Sequence, residues 1–287
     1  MKLGIVFEGG GMRGAYTAGV IEAFLEQKLE ANYVVGVSAG AINGISYLSG
    51  QRGRALRCNI EHAGDKRAAG IGSWLKTGSF FGMDFLFKDL PQMEPWNRDA
   101  AMQNPCEFEV GTTSAETGEP VFFGKESLDE DFTIIRASSS LPLFSPPVEF
   151  EGHMYMDGGL ATPIPFERAL EKGCDYLVVV LTKPRDFVKG PEKSVPLIER
   201  VLSEYPNLIQ AVKNRQTEYT REQNELRRLE AEGRAFVIAP PASLELSRIE
   251  RDKDKLKAAA RQGYLDGFNA MEHLRAGIAA RKAALGE

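Results

Sequence analysis

Short apolar runs that end in a tight turn alternate with longer amphipathic stretches at the start of the chain. Residues 2–8 and 33–37 are predicted to be fully buried strands, because each run is short, apolar and followed by glycine or serine. Residues 12–27 and 39–48 carry small and apolar side chains on one broad face, which predicts a helix after each strand. This order predicts a parallel sheet with right-handed crossover helices.

The middle of the chain predicts more elements of the same kind, apart from one stretch. Residues 51–105 are rich in phenylalanine near their centre and have no clear period. Beyond them the pattern predicts strands at 106–113 and 121–123, a helix at 127–137, a hairpin around Glu151-Gly152, a helix at 166–172 and a strand at 176–181.

The composition changes towards the end of the chain. A polar stretch follows Pro184 and leads into a highly charged region that predicts helix, broken near Pro206. Residues 235–239 predict another buried strand, and the rest predicts helix. A strand as apolar as residues 235–239 must pair within a sheet to be buried. We therefore expect residues 186–287 to be a helical extension whose strand joins the sheet of a domain at residues 1–185.

Composition and charge describe an ordinary globular chain. Of the 287 residues, 43% are hydrophobic and 26% are charged, and the formal net charge is −5, so no nucleic-acid partner is expected. No apolar run has the length of a signal peptide or a membrane span, so a cytoplasmic protein is expected. The cysteines lack disulfide or zinc spacing, and no metal site is expected from them: Cys58, Cys106 and Cys174.

A G-x-S-x-G motif at Gly36–Gly40 joins the second predicted strand to its helix. In such a motif the serine lies on a sharp, strained turn that exposes its hydroxyl, and its neighbours must be small. Gly36 and Gly40 meet that need, and the helix N-terminus favours negative charge that develops at Ser38. Ser38 is therefore predicted to be a nucleophile. The alternative is a tight turn in which the serine only caps the helix.

A second glycine-rich stretch, Gly9–Gly14, follows the first predicted strand. It matches the G-x-G-x-x-G of dinucleotide-binding turns, but that function needs an acidic residue where the second strand ends, and this chain has Ser38 there. Because neighbouring parallel strands end side by side, the loop is expected to reach Ser38 as an oxyanion hole, with Gly10 and Gly11 as N–H donors. A nucleotide site and a structural turn are the alternatives. Arg13 is predicted to support the oxyanion or a substrate phosphate, or else to be a solvated helix residue.

A serine nucleophile needs a proton acceptor, and Asp157 is the candidate. It follows the predicted strand at 153–156 and precedes Gly158 and Gly159, so its carboxylate is presented at a strand end. A β-turn aspartate is the alternative. The histidines of the chain lie in no comparable small-residue setting: His62, His153 and His273. The sequence thus predicts a dyad of Ser38 and Asp157.

Taken together, these motifs resemble the patatin-like phospholipase family. The family pattern is a glycine-rich oxyanion loop, a G-x-S-x-G serine after the second strand and a distant D-G-[GA]. All three stand here in that order, at Gly9–Gly14, Gly36–Gly40 and Asp157–Gly159. Residues 137–147 are similar to the family's segment before the aspartate. The resemblance covers about residues 1–185, with a weaker likeness to a bacterial subgroup beyond them.

The resemblance implies a three-layer α/β/α fold with a mainly parallel central sheet and a catalytic domain at residues 1–185. It implies hydrolysis of lipid acyl esters through an acyl-enzyme, with no metal and no cofactor. It also implies that Ser38 is the nucleophile and Asp157 the base. The implied oxyanion loop consists of Gly9, Gly10, Gly11 and Gly14.

An acyl chain needs an apolar groove near Ser38. Candidate wall or lid residues, for which ordinary core is the alternative, are Phe80, Phe81, Phe85, Leu86, Phe87, Leu141, Leu143 and Phe144. The expected partner is a lipid or acyl ester, with transient contact to a membrane surface. Three other functions stay open: a catalytically silent lipid- or protein-binding module, a histidine-dependent esterase and a nucleotide-binding oxidoreductase.

Overall fold

A computed structural model describes residues 1–68, 70, 79–80, 82–247 and 249–287. Within this part of the chain, a central sheet of eight strands has helices on both faces. The strands are β1 (Leu3–Phe7), β2 (Tyr33–Val37), β3 (Glu107–Ser114), β4 (Pro120–Gly124), β5 (Val148–Phe150), β6 (His153–Asp157), β7 (Tyr176–Val180) and β8 (Ala235–Ile238).

The helices of the described residues vary from one turn to more than thirty residues. The α-helices are α1 (Gly14–Glu26), α2 (Ala39–Leu48), α3 (Arg54–Ile60), α4 (Leu90–Met93), α5 (Arg98–Gln103), α6 (Thr133–Ser138), α7 (Phe166–Glu171), α8 (Val195–Val201), α9 (Pro206–Ala231) and α10 (Lys253–Ala284). A π-helix spans Phe85–Asp89, and 3-10 turns span Gly11–Arg13, Lys125–Ser127 and Gly158–Leu160.

The centre of the sheet is parallel. The strand order is β5-β6-β3-β2-β1-β7-β8, and β4 also pairs with β3. Strands β3, β2, β1, β7 and β8 pair in parallel, whereas β4, β5 and β6 form antiparallel pairs. Strands β1, β2 and β7 are buried along their whole length, as expected of parallel strands covered on both faces. The predicted α/β class with a mainly parallel sheet is confirmed.

Two helical layers cover the sheet because alternate strand residues point to opposite faces. Ile5 and Phe7 of β1 pack with side chains of α1 and α2 on one face, and Met271 of α10 joins the same core. Val6 points the other way and packs with side chains of α7 and α9. The predicted three-layer α/β/α arrangement is confirmed.

The C-terminal region shares both the sheet and a helix layer with the rest of the chain. Strand β8 pairs in parallel with β7. Helix α10 approaches α1 so closely that a Cβ on Gly263 would stand 2.0 Å from the Tyr16 carbonyl oxygen, and the Tyr16 hydroxyl donates to Asp266 at 2.8 Å. Helices α9 and α10 are long, yet none of the helices formed by the described residues is long and apolar enough to cross a membrane.

The helix predicted at residues 127–137 is wrong for its first half. Leu128 is extended, and α6 begins only at Thr133. Phe132 has a φ of 51°, a left-handed conformation that a continuous α-helix cannot contain. The Asp129 carboxylate accepts a hydrogen bond from the Thr133 N–H at 2.8 Å, which satisfies the first N–H group of the new helix. Side-chain periodicity does not reveal such a break.

Candidate active site

Strand β2 ends in a sharp turn that carries Ser38. This residue has a φ of 53° and a ψ of −125°, which is strained for serine, and α2 begins at the next residue. The turn requires glycine at position 40, because a Cβ there would stand 2.3 Å from the Phe7 carbonyl oxygen. Gly36 lies directly against Gly40. The strand–turn–helix context of the motif therefore exists, at the carboxyl end of the parallel strands.

The pairing register brings Asp157 to the same place. Strand β3 pairs with β2 as far as Val37 opposite Gly111, and at the next residue Thr112 pairs with Asp157 of β6. Because β4 occupies the other edge of this part of β3, β6 lies on the same edge as β2. A Cβ on Gly158 would stand 2.8 Å from Val37 Cγ1. Strands β2 and β6 thus end beside each other, with Ser38 and Asp157 at the meeting point.

A serine-rich segment at the end of α6 holds both residues in place. The Ser38 N–H donates to Ser138 Oγ at 2.8 Å, and that hydroxyl donates to the Gly111 carbonyl at 2.6 Å. Two residues later, the Ser140 carbonyl accepts the Asp157 N–H at 2.9 Å. Ser138 and Ser140 are buried. The sequence showed this segment only through its family likeness and not through any pattern of its own.

The glycine-rich loop lies beside the serine. A Cβ on Gly9 would stand 3.3 Å from the Ser38 Cβ. Within the described part of the chain, the N–H groups of Gly9, Gly10 and Gly11 donate to no protein acceptor. Gly14 differs, because its N–H donates to carbonyls in the loop and it is the first residue of α1. The loop therefore offers unused donors next to Ser38 at its first three glycines.

The root of this loop is fixed by Glu8, a residue that the sequence analysis missed. Its carboxylate is 1% exposed and accepts hydrogen bonds from the Thr182 N–H at 2.5 Å, Lys183 Nζ at 2.9 Å and the Tyr219 hydroxyl at 2.9 Å. Burial alone raises the pKa of Glu8, but the charge of Lys183 and these hydrogen bonds outweigh it and lower the pKa. The sequence signal that could have identified Glu8 is a carboxylate at the end of a predicted buried strand, directly before a glycine loop.

The three motifs line one cavity of about 920 Å³. Its walls include Glu8, Gly9, Gly10, Gly11, Arg13, Ser38, Asp157 and Gly159. The loops after β7 and β8 and helix α9 supply most of the rest. Arg13 reaches across to the loop after β8, where its Nη1 donates to the Leu246 carbonyl at 3.4 Å. The C-terminal region therefore forms part of the cavity wall.

Positive charge from separate elements gathers in this cavity. Its cationic side chains are Arg13, Lys183, Lys189 and Arg215. Burial lowers the pKa of Lys183; Glu8 opposes that effect, and the charges of Arg13 and Arg215 lower the pKa further. Cations that repel one another in this way favour a bound anion.

A second, apolar cavity of about 180 Å³ meets the first at Ser38. Gly11, Ser38 and Leu141 line both cavities. The apolar walls of the second cavity include Ile42, Met83, Phe85, Leu86, Phe87 and Leu90. Ser38 therefore lies between a polar, cationic space and an apolar one.

This geometry agrees with the comparison with known families. Residues 5–170, more than half of the chain, match the family model described as patatin-like phospholipase. The chain belongs to the patatin-like phospholipase family. Residues 205–278 match a second model, described as a domain of unknown function (DUF6363), and helix α9 lies within that match.

Two individual proteins are similar to this patatin-like chain. The uncharacterized protein YjjU of Escherichia coli (strain K12) is 27% identical over 250 residues, which are 85% of this chain and 70% of that protein. The crystal structure of VipD from Legionella pneumophila aligns with a TM-score of 0.48 and 11% identity, over 95% of this chain and 67% of that one.

The predicted groove residues of the patatin-like domain divide between two places. Phe85, Leu86, Phe87 and Leu141 line the apolar cavity beside Ser38. The other described candidates pack elsewhere: Phe80 and Phe144 ring to ring, 5.9 Å between centroids, and Leu143 in a separate cluster. Phe81 lies outside the described residues.

One histidine of the chain lies nearer to the site than its sequence context indicated. His62 lines the apolar cavity, and its Nε2 is 3.4 Å from Glu94 Oε1. His153 and His273 are exposed. No cluster of three or more His, Cys, Asp or Glu side chains that could hold a metal ion occurs among the described residues.

Glu222 of α9 supports the chain that follows Asp157. Its carboxyl accepts the Thr162 hydroxyl at 2.9 Å and the Ile164 N–H at 3.0 Å. Burial raises the pKa of Glu222 well above its ordinary value of 4.5, although both hydrogen bonds oppose the shift. The folded protein therefore favours the protonated carboxyl more than the unfolded chain does.

Replacing Glu222 by glutamine is expected to change how stability depends on pH. The unfolded carboxyl ionises near pH 4.5, before the folded one. The native protein therefore loses stability relative to Glu222→Gln as the pH rises from there to the raised folded pKa, by about 1.4 kcal/mol per pH unit. Urea unfolding of both proteins at a series of pH values measures this difference. Parallel stability curves would contradict the assignment.

Proposed function

We propose that the protein is a serine acyl hydrolase that cleaves lipid acyl esters with a Ser38–Asp157 dyad. One observation carries the proposal: the glycine loop, Ser38 and Asp157 come from separate parts of the chain and line a single cavity. Membership of a lipid-hydrolase family supports the same reaction class. The free N–H groups of Gly9, Gly10 and Gly11 would hold the oxyanion.

The proposed cycle has two halves that meet at an acyl-enzyme. Asp157 accepts the hydroxyl proton while Ser38 Oγ attacks the ester carbonyl carbon, and the carbonyl oxygen becomes an oxyanion at the glycine loop. The intermediate collapses, the carbon–oxygen bond to the alcohol breaks, and protonated Asp157 returns its proton to the leaving alcohol. A water molecule then gives its proton to Asp157 as it attacks the acyl-enzyme. Collapse releases the fatty acid and restores the Ser38 hydroxyl.

The two cavities that meet at Ser38 support an orientation for the ester. Its acyl chain would enter the apolar cavity beside Phe85 and Phe87, because burial of methylene groups there is favourable. The alcohol part would lie in the polar cavity, where the cationic walls suit a phosphate on the head group. The acidic Asp186 and Glu245 also line this cavity, but both are exposed to solvent.

Labelling with a fluorophosphonate probe tests the proposal. The expected result is a single stoichiometric adduct on Ser38, located by peptide mass spectrometry, because only an activated serine beside an oxyanion hole reacts quickly. A lysophospholipid is expected to protect Ser38 at a lower concentration than a monoacylglycerol with the same acyl chain. Equal protection by the two lipids would reject the proposed binding of a head-group phosphate in the polar cavity.

The proposal fails if the folded protein gains no adduct on Ser38 and hydrolyses no ester in the presence of lipid vesicles. That pair of results would instead support a catalytically silent lipid- or protein-binding module. An adduct on another serine would reject Ser38 as the nucleophile.

A further inference from the structure

Helix α9 turns one face towards the catalytic motifs. Arg215, Tyr219 and Glu222 follow at intervals of four and three residues, so they share a side of the helix. Tyr219 and Glu222 are almost fully buried. Each of the three side chains bonds to the main chain or a side chain beside a motif. Polar side chains this deep in a core need such partners.

The first contact of α9 is with the root of the glycine loop. The Tyr219 hydroxyl donates to Glu8 Oε1 at 2.9 Å, directly before Gly9. The same carboxylate receives the Thr182 N–H, and the Thr182 hydroxyl lies 3.0 Å from the Gly9 carbonyl oxygen. A Cβ on Gly10 would stand 2.7 Å from that hydroxyl oxygen. The loop thus has little room to move without breaking the Glu8 contacts.

The second contact of α9 is with the chain that follows Asp157. Arg215 Nε donates to the Gly159 carbonyl at 2.5 Å. Three and five residues after Gly159, the Thr162 hydroxyl and the Ile164 N–H donate to Glu222 of the same helix. The Gly159 N–H in turn donates to Asp157 Oδ1 at 2.8 Å. Arg215 therefore acts on the residue that orients the proposed base.

We propose that α9, part of the stretch matched by the domain of unknown function, is the brace that fixes the oxyanion loop relative to Asp157, with Tyr219 and Arg215 as positioning residues. The inference rests on the proposed function. A single rigid helix that touches both loops sets the distance between them, whereas the two loops belong to strands that are not neighbours in the sheet. Catalysis by a dyad and an oxyanion hole depends on such distances.

The test compares Tyr219→Phe with Tyr264→Phe. Both variants remove one hydroxyl, but Tyr264 donates to Glu26 at the surface, away from the loops. Tyr219→Phe is expected to lower kcat for p-nitrophenyl butyrate by about tenfold with KM changed less than about twofold, because a hydrogen bond to a buried charge is lost while the substrate cavities stay intact. Tyr264→Phe is expected to keep the native kcat.

Hydrogen exchange measured by mass spectrometry gives a readout that needs no activity. In Tyr219→Phe, the amides of Arg13, Gly14 and Thr182, which are hydrogen-bonded in or beside the glycine loop, are expected to exchange about tenfold faster. In Arg215→Met, faster exchange is expected at Thr162, whose amide donates to the Gly158 carbonyl. The two variants act on different loops. The exchange rates of one variant therefore still test the proposal if the other variant does not fold.

The outcomes separate the two proposals. Native kcat and native exchange in both loops of the variants would overturn the brace, whatever the native protein hydrolyses. Faster loop exchange in the variants, combined with a native protein that neither labels nor hydrolyses, would support the brace and reject the hydrolase. Loss of kcat with unchanged exchange would reject the positioning role of Tyr219.

Discussion

Replacing Ser38 by alanine is expected to lower kcat/KM for ester hydrolysis by about 10⁴-fold or more. The substitution removes only the Oγ, and the Cβ keeps the strained turn at φ 53° as it is. Without the oxygen no acyl-enzyme can form, and the oxyanion loop and binding alone leave a small residual rate. Hydrolysis of p-nitrophenyl butyrate and fluorophosphonate labelling both measure the loss.

The control for this variant is its stability, measured as the free energy of unfolding. Ser38 contacts Ser138, the last residue of α6, through its main-chain N–H and not through its hydroxyl. The free energy of unfolding is therefore expected to change by less than about 0.5 kcal/mol. A stable Ser38→Ala protein that retains more than a hundredth of the native rate would show that another residue carries the chemistry.

Replacing Asp157 by asparagine is expected to lower kcat by about 10³-fold. The carboxylate is 3% exposed, and its Oδ1 accepts the Gly159 N–H at 2.8 Å. An asparagine oxygen can keep that hydrogen bond, but the amide group cannot accept the Ser38 proton. The turn should therefore persist while the base is lost, and the rate of labelling at Ser38 should fall with kcat.

His153→Ala is the matched control for the base, because it lies four residues earlier on the same strand and is exposed. It is expected to retain the native kcat. The opposite pattern, with activity kept in Asp157→Asn and lost in His62→Ala, would transfer the role of base to His62 at the apolar cavity.

The two cavities would allow one serine to serve a lipid ester. The apolar cavity takes its walls from α2, α3, the π-helix and α4, among other segments. The polar cavity is formed by the glycine loop, α9 and the loops after β7 and β8, with Ser38 and Asp157. Residues from nearly the whole length of the chain therefore surround Ser38. The C-terminal region would contribute to catalysis through the walls of the polar cavity as well as through α9.

Local patterns were sufficient for much of the fold. The apolar runs at the start of the chain form β1 and β2, and the helix predicted at residues 39–48 is α2. These elements are buried on both faces or carry a continuous apolar stripe, so local sequence and tertiary packing favour the same conformation. The short helices and the π-helix described within residues 51–105, and the break at Phe132, were not predictable, because such short elements and a left-handed residue leave no period.

The sequence by itself determined which residues are candidates for chemistry. Small residues around Ser38, the glycines of the first loop and the glycines after Asp157 are local requirements of tight turns, and local requirements are visible in a sequence. Tertiary structure alone decided that these turns meet. Ser138, Arg215 and Tyr219 leave no signal because their partners are distant in the chain and each bond depends on strand register and helix packing. Long-range pairing of buried polar groups is a property of the folded core.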